Sequence, residues 1–243
     1  MTNFKQRIYE SYRTTTDRNP YRMTAVPRGN EYAQYEARWA RFLPTDKQAP
    51  ILDVACGDGM FLLYLQNKGY TNLHGVDISL EQVQAAHRAG LDLVQQGDAL
   101  FTLRQQPANY AAISTLSFLE HLSRDDLFVH LDAIRAALRP GGLFFGLVPN
   151  AKGPFGSHVR YADITHDLSF TPESILQVAA VIDMEPVYIG ECGPVPHGLV
   201  SSLRWAIWQG VRGLYWLMRV AQAADYRYRV YSQDLRFVLR RPL

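Results

Sequence analysis

From residue 50 onward the chain alternates short apolar runs with longer amphipathic segments. The runs ILDVAC (51–56), LHGVD (73–77), LDLVQQ (91–96), YAAISTL (110–116) and GLFFGLV (142–148) are apolar nearly throughout, the pattern of strands covered on both faces. Between them, segments 58–68, 79–89 and 123–138 have helical spacing, with Ser79 and Ser123 as N-caps and Gly69 and Gly90 as stops. Thr171-Pro172-Glu173-Ser174 opens a further helix with an apolar face of Ile175, Leu176 and Val178. A strand near 186–189, a helix over 201–222 and a last strand, LRFVLR, complete the series. Strand and helix in alternation predict an α/β fold, a doubly wound Rossmann-like sheet with helices on both faces. The expected organisation is a helical preamble over 1–49, with a piece from Glu31 to Phe42, followed by one domain over 50–243. That domain contains a polar loop at 149–171, a length at which loops are usually functional or disordered, and its aromatic residues favour the functional reading.

Composition narrows the class. With 47% hydrophobic and 20% charged residues among 243, disordered, collagenous and coiled-coil readings are excluded. Two cysteines, Cys56 and Cys192, are too few for a disulfide framework and have no zinc-ligand spacing, which predicts a reducing cytoplasm. The first residues lack the apolar core of a signal peptide, and no run of about 18 apolar residues spans a bilayer. The net charge of +2 is uneven: residues 201–243 carry eight Arg against Asp225 and Asp234, leaving −4 for residues 1–200. With the basic excess confined to one element and no appended nucleic-acid module, the sequence argues against a nucleic-acid partner.

Along 201–222, Leu203, Ile207, Val211, Leu214 and Met218 fall on one stripe, expected to face the core. Arg204, Trp208, Arg212, Tyr215 and Arg219 fall on the opposite arc, with Trp205 and Trp216 alongside. An exposed Trp/Arg arc suits a membrane interface or a protein partner, and the alternative is that the Trp rings pack under neighbouring elements.

Asp53-Val-Ala-Cys-Gly57-Asp-Gly59 stands where the first strand meets the first helix, so a ligand there can lie against backbone NH groups at a helix start. Asp77 ends the second strand and Asp98 follows the third. A carboxylate at the first of these places can accept both ribose hydroxyls, and one at the second can receive an adenine amine, which suits an adenosine ligand. The turn lacks the third glycine of a dinucleotide fingerprint and the GK[ST] of a P-loop.

At these residues ILDVACGDG, GVDIS, GDAL, LSFLEHL and LRPGGLFFGLVPN resemble the successive motifs of class I S-adenosylmethionine-dependent methyltransferases, over about residues 50–150. The resemblance implies that family's seven-stranded sheet, with S-adenosylmethionine as cofactor and S-adenosylhomocysteine as product. It implies a cofactor set of Asp53, Ala55, Gly57 and Gly59 at the methionine and ribose end, Asp77 with Ile78 at the ribose, Asp98 with Ala99 at the adenine, and Leu116. The chain departs from the family where Ala111 follows Tyr110, in place of an acidic residue, and at Thr115-Leu116-Ser117, where an acid or Asn is common.

Methyl transfer is an in-line displacement, so a base is required only where the acceptor must lose a proton. His121, after Glu120 at the exit of the fourth strand, and His166, in RYADITHD, are the candidate bases; each has a structural alternative, as a partner of loop carbonyls. Asp163, with His166 and Asp167, has the chemistry of a metal cluster without a metal-site spacing, so an ordered catalytic loop with no metal is expected. The segment from Pro149 to Ser174 resembles methyltransferases of bacterial surface-polysaccharide biosynthesis, which implies acceptor contacts from Arg160, Tyr161 and Asn150. Tyr9, Tyr12 and Tyr21 either close over the cofactor or pack on the fold. The expected activity is O-methylation of a sugar in a surface glycan or its precursor. A small-molecule or secondary-metabolite O- or N-methyltransferase is the alternative within the class, and a non-catalytic cofactor-binding scaffold the alternative outside it. The expected location is cytoplasmic, with attachment to the inner membrane face or a partner through 201–222, and an oligomer, left open.

Overall fold

The computed structural model describes residues 4–17, 28–223 and 228–243, so Tyr21 lies outside the described residues. Seven strands form one sheet: β1 (Ile51–Val54), β2 (Leu73–Asp77), β3 (Val94–Gln96), β4 (Tyr110–Leu116), β5 (Leu138–Pro149), β6 (Glu185–Glu191) and β7 (Asp234–Arg240). The helices are α1 (Phe4–Tyr9), α2 (Tyr12–Asp17), α3 (Arg28–Trp39), α4 (Met60–Asn67), α5 (Leu80–Arg88), α6 (Ala99–Gln105), α7 (Arg124–Ala137), α8 (Gly156–Ala162), α9 (Pro172–Val181) and α10 (Leu199–Ala223).

The strand order is β3-β2-β1-β4-β5-β7-β6. β1 to β5 run parallel, while β7 is antiparallel to both β5 and β6, so the sheet is mixed rather than wholly parallel. Alternation along each strand splits the core in two. Leu52, Val54, Ile113 and Phe144 face a layer with Leu127, Ile134 and Ile175, and Ile51, Ala112 and Phe145 face Trp39, Phe61, Leu65 and Val83. Helices therefore cover both faces, as the unbroken apolar runs require. Chain order reverses between β1 and β4, and in such sheets the crevice outside the carboxyl ends of those strands is where ligands bind.

Local chemistry sets the boundaries. The predicted caps hold at α7, where Ser123 accepts from the Asp126 NH, and at α9, where Thr171 and Ser174 form a reciprocal capping box with Pro172 at the helix start. The 149–171 segment is not wholly loop, since α8 occupies its middle.

Helix α10 reverses the sequence expectation. Leu203, Ile207, Leu214 and Met218 are 58–62% exposed, so the stripe expected in the core faces outward. The arc of Trp208, Arg212, Tyr215 and Trp216 packs inward: Tyr215 against Tyr231 at 5.0 Å between ring centroids, Trp208 near Phe155 at 6.4 Å, and Trp216 beneath the Arg229 guanidinium at 4.5 Å. Arg212 is paired with Glu191 at 2.9 Å. Large aromatic rings cover more area than aliphatic side chains, and Glu191 supplies the counter-charge that lets Arg212 turn inward. No helix of the described residues is long and apolar enough to cross a membrane.

Candidate active site

The turn after β1 is built from left-handed backbone: Ala55 at φ 54°, Gly57 at 57° and Gly59 at 77°. A Cβ on Gly59 would lie 2.6 Å from Leu91 Cδ1, so the turn admits only glycine there. Asp77 organises it: the Gly57 NH donates to Oδ2 at 2.8 Å and the Ser79 NH to Oδ1 at 2.8 Å. Burial raises the Asp77 pKa, against those two hydrogen bonds.

Asp53 is the neighbour of Ser114 across the β1–β4 pair. Ser114 Oγ donates to its Oδ1 at 2.6 Å, and burial pushes its pKa up to about 7. Asp98 caps α6 through an acceptor bond from the Phe101 NH at 2.8 Å, with its residue otherwise exposed. Ala99 opens that helix, Ile78 is 54% exposed beside Asp77, and Leu116 ends β4 half-buried. All nine cofactor-set residues therefore sit at the carboxyl ends of β1 to β4 or in the turns that follow. The left-handed glycine turn, the strand-end carboxylate of Asp77 and the exposed apolar Ile78 fit a nucleoside with a charged tail.

On the β4 side the geometry is that of an acid–base network. His121 Nδ1 lies 2.8 Å from Thr165 Oγ1, and Thr165 Oγ1 donates to Asp163 Oδ1 at 2.6 Å. Thr165 thus accepts from the His121 Nδ1–H, leaving Nε2 with its lone pair. Tyr12 donates its hydroxyl proton to Asp163 Oδ2 at 2.9 Å. Burial would raise the Asp163 pKa, but the bonds from Thr165 and Tyr12 outweigh it and hold the carboxyl below its usual range. Burial and the neighbouring His166 lower the His121 pKa to about 4, so its ring is neutral at pH 7. The His121 and His166 rings are 4.7 Å apart, nearly perpendicular, and His166 Nδ1 lies 3.0 Å from the Val159 carbonyl.

Glu120 is a residue that sequence reading passed over. It is 1% exposed, its Oε2 has no hydrogen-bond partner among the described residues, and burial pushes its pKa up to about 8. Its backbone carbonyl accepts from the Asp167 and Leu168 NH groups at 2.7 and 3.0 Å, tying the loop to the end of β4. Glu120, His121 and His166 also bring three donor atoms within 4.8 Å of one another, a set of the type that holds divalent ions, although no metal was expected from spacing. Because Glu120 is protonated in the fold well above the ordinary carboxyl pKa of 4.5, its burial is best tolerated at low pH. Stability is lost as pH rises toward and through about 8. Glu120→Gln is therefore expected to raise the unfolding free energy by about 5 kcal/mol near pH 9 and to change it little near pH 4, measured by denaturant titration at both values.

The acceptor-side expectations divide. Tyr161 is 78% exposed at the end of α8. Arg160 clips its own loop, donating to the carbonyls of His166 and Asp167. Asn150 is fully buried. Its amide donates to the Val230 and Ser232 carbonyls and its oxygen accepts from the Lys152 NH, so it is a hinge pin of the loop and not an acceptor contact.

Sequence reading also missed how the N-terminal helices strap this region. Lys5 bonds the His121 carbonyl and Asp167, Arg13 reaches Asp58 at 3.3 Å and Gln82 at 3.1 Å, and Tyr9 packs on His121 at 6.3 Å. Only the tyrosines and Asp-x-Thr-His carried any signal in the sequence.

A family profile described as a methyltransferase domain matches residues 28–180. No match to the chain was found among curated proteins. Among solved structures, a SAM-dependent methyltransferase from Archaeoglobus fulgidus superposes with a TM-score of 0.65 at 19% identity, covering 88% of this chain and 94% of its own. An S-adenosylmethionine-dependent methyltransferase from Mesorhizobium loti gives 0.59 at 16% identity, covering 86% and 98%. Geranyl diphosphate C-methyltransferase from Streptomyces coelicolor A3(2), solved with Mg2+, geranyl diphosphate and S-adenosyl-L-homocysteine, gives 0.60 at 14%, covering 87% and 79%. At these identities the likenesses concern the fold.

Proposed function

Since the chain belongs to the methyltransferase-domain family and is a SAM-dependent methyltransferase of Rossmann-like fold, we propose that it methylates a sugar hydroxyl of a surface glycan or its precursor. Bound S-adenosylmethionine supplies an electrophilic methyl group on a sulfonium.

The observation that carries the reading is the chain Asp163–Thr165–His121. A carboxylate or phosphate acceptor needs no base, whereas a hydroxyl does. In this proposal Nε2 of His121 takes the hydroxyl proton as the acceptor oxygen gains the methyl group. The positive charge that develops on the ring is matched through Thr165 by Asp163. His166 packs edge-on against His121 and fixes its plane. Exposed Tyr161 offers an aromatic face on which a sugar ring stacks, while Arg160 keeps the loop closed. On the cofactor side, Asp77 receives the ribose hydroxyls, Gly57 and Gly59 let the methionine end lie against the backbone, with Asp53 and Ala55 beside it. Ile78, Asp98, Ala99 and Leu116 enclose the adenine and the approach to the methyl group.

Radiolabelled methyl transfer from S-adenosylmethionine to a panel of nucleotide sugars and oligosaccharides tests the acceptor class. Product whose label resists mild base, as an ether does, supports it, and label only on amine acceptors overturns it. The same assay with a chelator separates base from metal. Turnover is expected to persist within about twofold, and its loss with recovery on adding a divalent ion would assign Glu120, His121 and His166 to a metal instead.

A further inference from the structure

The outward face of α10 is an apolar surface of unusual length. Leu199 is 92% exposed, Val200 75%, Leu203 62%, Ile207 60%, Leu214 62% and Leu217 58%. At 1.5 Å per residue the 25-residue helix is about 37 Å long, and no described element covers this side. Soluble surfaces rarely leave so continuous an apolar stripe to water.

We propose that α10 lies flat on an anionic bilayer, its aliphatic face in the headgroup–acyl boundary. Charge selects this occupant over a second copy of the chain. The helix has no acidic residue, and Arg204 stands exposed beside the stripe, so two copies packed face to face would bring these cations together with no carboxylate from either helix, while Arg212 faces inward on Glu191. The segment that contains it, residues 201–243, has a net +6 against −4 for the remainder, an excess of the sign that favours an anionic surface. Arg204 is exposed at the rim of the stripe, the residue type that sits at the headgroup level. The surface is the reverse of the Trp/Arg arc to which the sequence pointed, since that arc is spent on the protein's own packing. The same helix is tied to the 149–171 segment, with Trp208 beside Phe155 and the Tyr215 hydroxyl 3.5 Å from the Lys152 carbonyl. A bilayer under α10 therefore lies next to the loop that carries Tyr161.

Co-sedimentation of the whole protein with vesicles tests this. Vesicles of equal parts phosphatidylglycerol and phosphatidylcholine are expected to bind at least about tenfold more tightly than phosphatidylcholine alone, and binding is expected to weaken when salt rises from about 50 to about 500 mM. Replacing Leu203, Ile207 and Leu214 together by Ser should lower binding at least about tenfold, and Arg204→Gln about fivefold. These positions are exposed and lie outside the cofactor turn, so calorimetric affinity for S-adenosylmethionine in each variant, expected unchanged, shows that the fold persists. Absence of wild-type binding to the anionic vesicles overturns the proposal. So does a lipid-free dimer, seen by sedimentation velocity, that the triple Ser variant converts to monomer.

Discussion

Turnover by His121→Asn is expected to fall by about 100- to 1,000-fold, with affinity for S-adenosylmethionine kept within about twofold. Asparagine keeps a polar side chain near Thr165 but has no nitrogen able to take a proton at neutral pH. The proposed cofactor contacts, around Asp77 and the glycine turn, do not include His121, which is why binding is expected to survive. Thr165→Val cuts the link between ring and carboxylate without removing either, and should cost about tenfold. In the proposed relay the three residues act as one unit, so the double change His121→Asn with Asp163→Asn should be little worse than His121→Asn alone. Single-turnover rates against calorimetric affinities check each of these. Unchanged turnover in His121→Asn would remove it from the chemistry.

The second large effect is at Asp77. Its two oxygens accept from Gly57 and Ser79 before any ligand arrives, so they hold the turn. Asp77→Ala removes two charge-assisted hydrogen bonds and frees two buried NH groups, each worth about 1–3 kcal/mol. Affinity for S-adenosylmethionine and S-adenosylhomocysteine is expected to fall by at least about 100-fold in calorimetry. Asp77→Asn should resemble it, because an amide has one oxygen and would point its NH2 at one of two NH donors. Affinity within threefold of wild type would place the ribose elsewhere.

The sheet was legible because its strands are covered on both faces. LHGVD and YAAISTL match β2 and β4 to the residue, since no solvent-facing alternation blurs an interior parallel strand. At β3 only Val94–Gln96 pairs, because the fully buried Leu91 belongs to the turn that closes α5, its NH bonded to the Ala86 carbonyl. The cofactor turn was legible through its glycines and strand-end acids, whose positions follow from chain order alone.

What failed to show was set by long-range pairing. Periodicity locates the two faces of α10 but cannot rank them when one is aliphatic and the other aromatic, and the ranking came from Glu191, Phe155, Tyr231 and Arg229, all distant in sequence from the residues they meet. Asn150 stands at the mouth of the acceptor loop in sequence, yet partners some 80 residues away, Val230 and Ser232, claim its amide. Thr165 lies inside a noticed motif, but only the folded loop places its hydroxyl between His121 and Asp163.

The position of β7 bears on how the molecule is made. This strand, Asp234–Arg240, is not an edge: it lies between β5 and β6 and pairs with both. Phe237, 1% exposed, seals the space over Gly146 and against Phe144. During synthesis β5 and β6 therefore wait with unpaired backbone edges until β7, which follows both in the chain, has emerged. The sheet closes only once β7 has inserted, and a chain lacking Asp234–Arg240 has a gap in the middle of its sheet.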